Sequence, residues 1–159
     1  MPNSPRKSSS ALALALLALG LAATPVHAKP APQCRIVVPQ DLRMAAGEKT
    51  EFFVGLIPSN GFAVSTAGPL RISLRPTPDS GLSLKRSELV RRNAVDPAST
   101  APRFPVLAQS STAGTFRVEV LASFWLCKSR LCRPQSVEAT FSVLVEAPAA
   151  VPPAATDIK

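Results

Sequence analysis

Two stretches near the end of the chain constrain the fold more than any others. "TFRVEVLASFWL" (115–126) places Phe116, Val118, Val120, Ala122, Phe124 and Leu126 at alternate positions. "SVEATFSVLVE" (136–146) does the same with Val137, Ala139, Phe141, Val143 and Val145, set against Glu138, Thr140, Ser142 and Glu146. Side chains of a strand alternate between its two faces, so each stretch has one face to bury and one to wet. The polar connection between them carries Cys127 and Cys132, and two such stretches joined so closely predict a β-hairpin.

The preceding chain repeats this on a smaller scale. "CRIVVP" (34–39), "TEFFVGLI" (50–57, entered through a turn at "AAGEK"), "GFAV" (61–64) and "PLRISLRP" (69–76) all read as strands. "GLSL" (81–84) and "RFPVLAQ" (103–109) read as shorter ones, with Pro105 confining the second to an edge or a strand end. "KRSELVRRNAVDPASTAP" (85–102) turns polar and proline-rich and predicts a long loop with one turn of helix. Seven to eight strands, close turn signals and no repeats point to an all-β fold, an antiparallel β-sandwich of about 100 residues.

The ends differ in kind. Arg6 and Lys7, an apolar run from Ala11 to Ala23 and "VHA" describe a secretory signal with cleavage expected after Ala28. "PAPQ" before Cys34 lacks the small-residue box of a lipid-anchored protein. The sandwich is expected over 29–146, and the Pro/Ala-rich residues 147–159 predict a disordered tail. The expected product is exported, periplasmic or extracellular, with no membrane span, since the apolar run falls short of the roughly 20 residues a spanning helix needs.

Composition excludes several chemistries. The one histidine, His27, leaves with the signal, so the mature chain cannot build a His-dependent hydrolase or an imidazole metal site. Three cysteines fall short of a closed zinc site, and no cofactor is expected. Losing Arg6 and Lys7 leaves 16 basic and 10 acidic residues, a net charge of +6. The charge is scattered, with no basic stripe interleaved with aromatics, so no nucleic-acid partner is expected.

What remains is "FWLCKSRLCRP" (124–134). If "KSRL" forms the loop, Cys127 and Cys132 face each other across the hairpin at a Cα separation of roughly 4.5 to 5.5 Å, within disulfide range. A bridge closing about six residues stabilises by on the order of 2 kcal/mol, whereas one from Cys34 to Cys127 would contribute nearer 4.6 kcal/mol. The local bridge is a weak staple. Lys128, Arg130 and Arg133 surround it, and positive neighbours favour the thiolate that carries out exchange. The pair is thus either a structural bridge or a redox couple. Trp125, opposite in face to Phe124, either covers the second face of the hairpin or offers a docking platform beside the sulfurs. Cys34 is an odd cysteine: a buried thiol, an intermolecular link or a competitor for the pair.

An alternating strand, an aromatic, Cys-x4-Cys followed by proline and a final alternating strand together resemble the N-terminal periplasmic domain of the thiol:disulfide interchange protein DsbD. "IPSNGFAVSTAGPLRISL" resembles that family's glycine-containing turn and following strand. The resemblance implies an immunoglobulin-like sandwich whose late hairpin carries the redox pair Cys127 and Cys132. It further implies exchange with a thioredoxin-like or other extracytoplasmic protein, with Cys132 forming the mixed disulfide. The chain departs from the family at Lys128 and Arg133, and it shows no counterpart of the family's aromatic cap loop. The alternative is a non-catalytic secreted binding or structural module in which the bridge is a staple.

Overall fold

The computed structural model describes residues 32–148. The expected signal peptide and residues 149–159 of the expected tail lie outside that span. Ten strands follow in order: β1 (Cys34–Val37), β2 (Asp41–Ala45), β3 (Lys49–Pro58), β4 (Ala63–Val64), β5 (Leu70–Pro76), β6 (Leu82–Leu84), β7 (Glu88–Val90), β8 (Arg103–Ser110), β9 (Gly114–Lys128) and β10 (Leu131–Glu146). One 3-10 turn, Arg91–Asn93, follows β7. Two sheets form, one in the order β1-β3-β8-β6 and the other β2-β10-β9-β5-β7, with β4 pairing with β9 as well. The described residues form an all-β sandwich.

Alternation selects what lies between the sheets. Phe52, Val54 and Leu56 of β3 and Phe104, Val106 and Ala108 of β8 are buried from one side. Ile72 and Leu74 of β5, Val118, Val120, Ala122, Phe124 and Leu126 of β9, and Phe141, Val143 and Val145 of β10 are buried from the other. Phe52 and Phe141 meet edge to face with ring centroids 5.3 Å apart, tying the two sheets together. The buried face of the β9–β10 hairpin is the one its sequence predicts. Phe116 and Val137 are only partly buried.

The structure corrects the expected strand inventory. Among the described residues ten strands form rather than seven to eight, because β2 and β7 were hidden by short length and polar surroundings. Each is ordered by a neighbour: β2 by five register pairs with β10, β7 by three with β5. Leu89 of β7 is fully buried, so the segment expected to be a long loop drives one apolar anchor into the core before its 3-10 turn. The sandwich is also not wholly antiparallel. β1 pairs antiparallel with β3, and after Val38–Gln40 the chain changes sheet, so that β2 runs parallel to β10. Among the described residues, no helix is long and apolar enough to cross a membrane.

Candidate functional site

β9 and β10 pair without interruption from Gly114↔Val145 to Lys128↔Leu131. The turn is therefore two residues, Ser129 and Arg130, not the expected four, because Lys128 and Leu131 join the ladder. Ser129 sits at φ 56°, the left-handed conformation that a two-residue hairpin turn requires. Cys127 and Cys132 are direct partners in this register, with Cα atoms 4.0 Å apart, closer than expected, and they form a disulfide.

The two cysteines are not equivalent. Cys132 is exposed, whereas Cys127 is partly covered. The cover is β4, whose Ala63 pairs with Cys127 and whose Val64 pairs with Leu126. A tight turn delivers β4: Asn60 and Gly61 take φ of 56° and 74°, and the Phe62 amide donates to the Ser59 carbonyl at 3.0 Å. Positive φ at both central residues is the pattern that Asn-Gly favours. Arg91 holds β4 from behind. Its guanidinium donates to the Ser65 carbonyl and, at 3.2 and 3.0 Å, to those of Pro97 and Ser99. Burial lowers the Arg91 pKa, but the group still donates to three carbonyls.

The bridge lies between two apolar surfaces. On its own face of the hairpin the next pair is Trp125↔Pro134, and Trp125 is 40% exposed. Gly68 packs so closely on the base of the Trp125 side chain that an added Cβ would stand 3.0 Å from the Trp125 Cβ. On the other face Phe62, Leu126 and Leu131 line an open groove of about 600 Å³ that reaches Cys132. Leu131 is 82% exposed, far more than an apolar side chain adopts when it serves the core.

Cations border this groove. The Lys128 Nζ lies 5.2 Å and the Arg133 Cζ 5.7 Å from the Phe62 ring centroid, both within cation–π range. Arg133 also contacts the side-chain oxygen of Gln33, a neutral partner. Arg130 is exposed at the turn. The two ion pairs among the described residues, Arg43–Glu146 and Arg71–Glu88, include none of these three cations. No cluster of metal-ligating side chains occurs among the described residues.

The expected site residues Cys127, Cys132, Lys128, Arg130, Arg133 and Trp125 are thus gathered at one hairpin tip. Phe62 joins them from distant sequence, and Arg91 holds the chain just after β4. The "SNGF" turn was the one local signal that Phe62 would be held in a fixed place, and nothing local announced Arg91. Cys34 is elsewhere: it opens β1, is 3% exposed, is unbonded, and burial pushes its thiol up to about 11. It does not compete for the bridge.

No family model matches the chain, and no curated protein matches it in sequence. Solved structures give likenesses of fold. The ASH/PapD-like domain of human CEP192 aligns at a TM-score of 0.42 and 10% identity, over 91% of this chain and 99% of its own. A cohesin module from a Clostridium perfringens family 33 glycoside hydrolase aligns at 0.41 and 11%, over 73% and 97%. AggA, the major subunit of Escherichia coli aggregative adherence fimbriae type I, aligns at 0.36 and 9%, over 72% and 97%. At these scores the functions of those proteins do not transfer to this chain.

Proposed function

We propose that this protein is an extracytoplasmic thiol–disulfide exchange module, working through Cys132 with Cys127 as the resolving thiol, in the manner of the DsbD N-terminal domain it resembles. The observation that carries the reading is a disulfide with one exposed cysteine, Cys132, placed where the fold has little need of it. β9 and β10 are already held by fifteen register pairs, and a six-residue closure adds on the order of 2 kcal/mol at most.

The chemistry follows from the asymmetry. In the reduced module a Cys132 thiolate attacks a sulfur of the partner's disulfide, forming a Cys132–partner bond and expelling the partner's other thiolate. Cys127 then attacks the Cys132 sulfur, restoring the bridge and releasing the second partner thiolate. Two electrons pass to the partner, and both its sulfurs take up protons from water. Run backwards, a dithiol partner reduces the bridge by attack at Cys132. Lys128, Arg130 and Arg133 favour the thiolate forms. An oxidising compartment outside the cytoplasm accords with a formed bridge.

A second reading has its own support. The bridge joins directly opposed residues next to a two-residue turn, where a simple hairpin staple would sit, and Trp125 with Pro134 offers an apolar contact surface beside it. The protein would then be a non-catalytic secreted binding module. Single-cysteine variants separate the two. Under the exchange reading, Cys127→Ser traps a mixed disulfide with a thioredoxin-like protein through Cys132, because the resolving thiol is gone, and Cys132→Ser traps far less. Absence of an adduct from both variants supports the staple.

A further inference from the structure

We infer that the hairpin tip recognises an acidic, cysteine-bearing protein segment: one whose cysteine lies beside an apolar residue and is flanked by Asp or Glu. This rests on the exchange reading and names the partner's chemistry.

Three observations carry it. The groove beside Cys132 is mostly apolar, lined by Phe62, Leu126 and Leu131. Its border is of one sign, since Lys128, Arg130 and Arg133 have no acidic partner among the described residues. Along the hairpin the nearest acids are Glu119, paired with Thr140, and Glu138, paired with Leu121, both in the ladder below the tip. The contacts of these cations are also neutral: the Phe62 ring for Lys128 and Arg133, and the Gln33 amide for Arg133. Among the described residues Arg43 and Arg71 each sit against a glutamate, and no such pair forms at the tip. A single-sign border around an apolar cleft speeds the approach of an oppositely charged segment and rejects a like-charged one.

The test uses two synthetic peptides, each with one cysteine and a neighbouring leucine, flanked either by glutamates or by lysines. Neutral dithiothreitol is the reference reductant. The readout is the second-order rate at which the attacking thiolate opens the Cys127–Cys132 bridge in the folded protein at low salt, forming a mixed disulfide at Cys132 and freeing the Cys127 thiolate, which is trapped by alkylation. Each exposed charge pair contributes little, so three acting together are expected to make the acidic peptide about tenfold faster than the basic one. The ratio should collapse in 1 M salt, where screening acts within about 3 Å. Replacing Lys128, Arg130 and Arg133 together with Gln should bring the ratio to near one, and Arg130→Glu alone should lower it without disturbing the ladder. Lys49→Gln, far from the tip, should leave it unchanged. Equal rates for the two peptides with a bridge that still exchanges would overturn the acidic-segment inference and leave the exchange function standing. A bridge that neither peptide nor dithiothreitol reduces without unfolding the protein would overturn both.

Discussion

The two ends of the β9–β10 hairpin share strands, register and alternation, yet they are built for different ends. At its base Phe141, Val143 and Val145 are buried, Phe141 meets Phe52 of the opposite sheet, and β2 adds a parallel neighbour. At its tip the ladder runs past the core. Leu131 and Trp125 stand exposed, three cations lack acidic partners among the described residues, and a disulfide closes a six-residue ring. The same period-2 pattern stabilises the fold at one end and presents a surface at the other. The difference lies in what lies opposite each strand, not in the strand itself.

That contrast can be broken by mutation, and the largest effect belongs to the base. Phe141→Ala removes a buried ring that joins the sheets and should cost about 3 to 5 kcal/mol in denaturant titration. A loss below about 1 kcal/mol would show that the base is not where the stability resides. At the tip, Cys127→Ala with Cys132→Ala should cost about 2 kcal/mol or less, because loop closure is all that the bridge adds to a formed ladder. A cost matching that of Phe141→Ala would make the bridge a structural necessity.

Cys34 sharpens the comparison by supplying a thiol with the opposite environment. Its ionisation is pushed up to about 11 from an ordinary value of 9.0 by burial. The folded state therefore keeps a proton that the unfolded state loses. The stability this confers is complete below pH 9 and is lost as pH rises towards 11, on the order of 1 to 2 kcal/mol. Cys34→Ala should flatten that part of the pH–stability curve, and the chain has no tyrosine to titrate in the same range. In the native protein Cys34 should also resist alkylation at pH 8 while a reduced Cys132 reacts. The smallest effect is at Glu138, exposed and free of ion pairs among the described residues: Glu138→Ala should change stability by less than about 0.5 kcal/mol.

What the sequence made legible was short in range. The buried face of β9 and β10, the pairing of Cys127 with Cys132 and the outward side of Trp125 all follow from alternation and spacing within a few residues. The features left unread depend on contacts between distant segments. β2 is ordered by running beside β10, and Phe62 reaches the groove beside Cys132 because β4 pairs with β9. Arg91 has meaning only against the carbonyls of Ser65, Pro97 and Ser99. The two-residue turn was missed for a related reason: "KSRL" is polar throughout, and only the continued ladder shows that Lys128 and Leu131 belong to strands.

The central claim is that the tip bridge serves exchange rather than stability. Its most direct test is the reduction potential of the Cys127–Cys132 pair, measured by equilibration with a thiol buffer in the folded protein with Cys34 replaced by Ala. An exposed, weakly stabilising bridge should show a potential above roughly −300 mV, the value below which structural disulfides of secreted proteins lie. A potential well below that would contradict the exchange function and leave the bridge a hairpin staple.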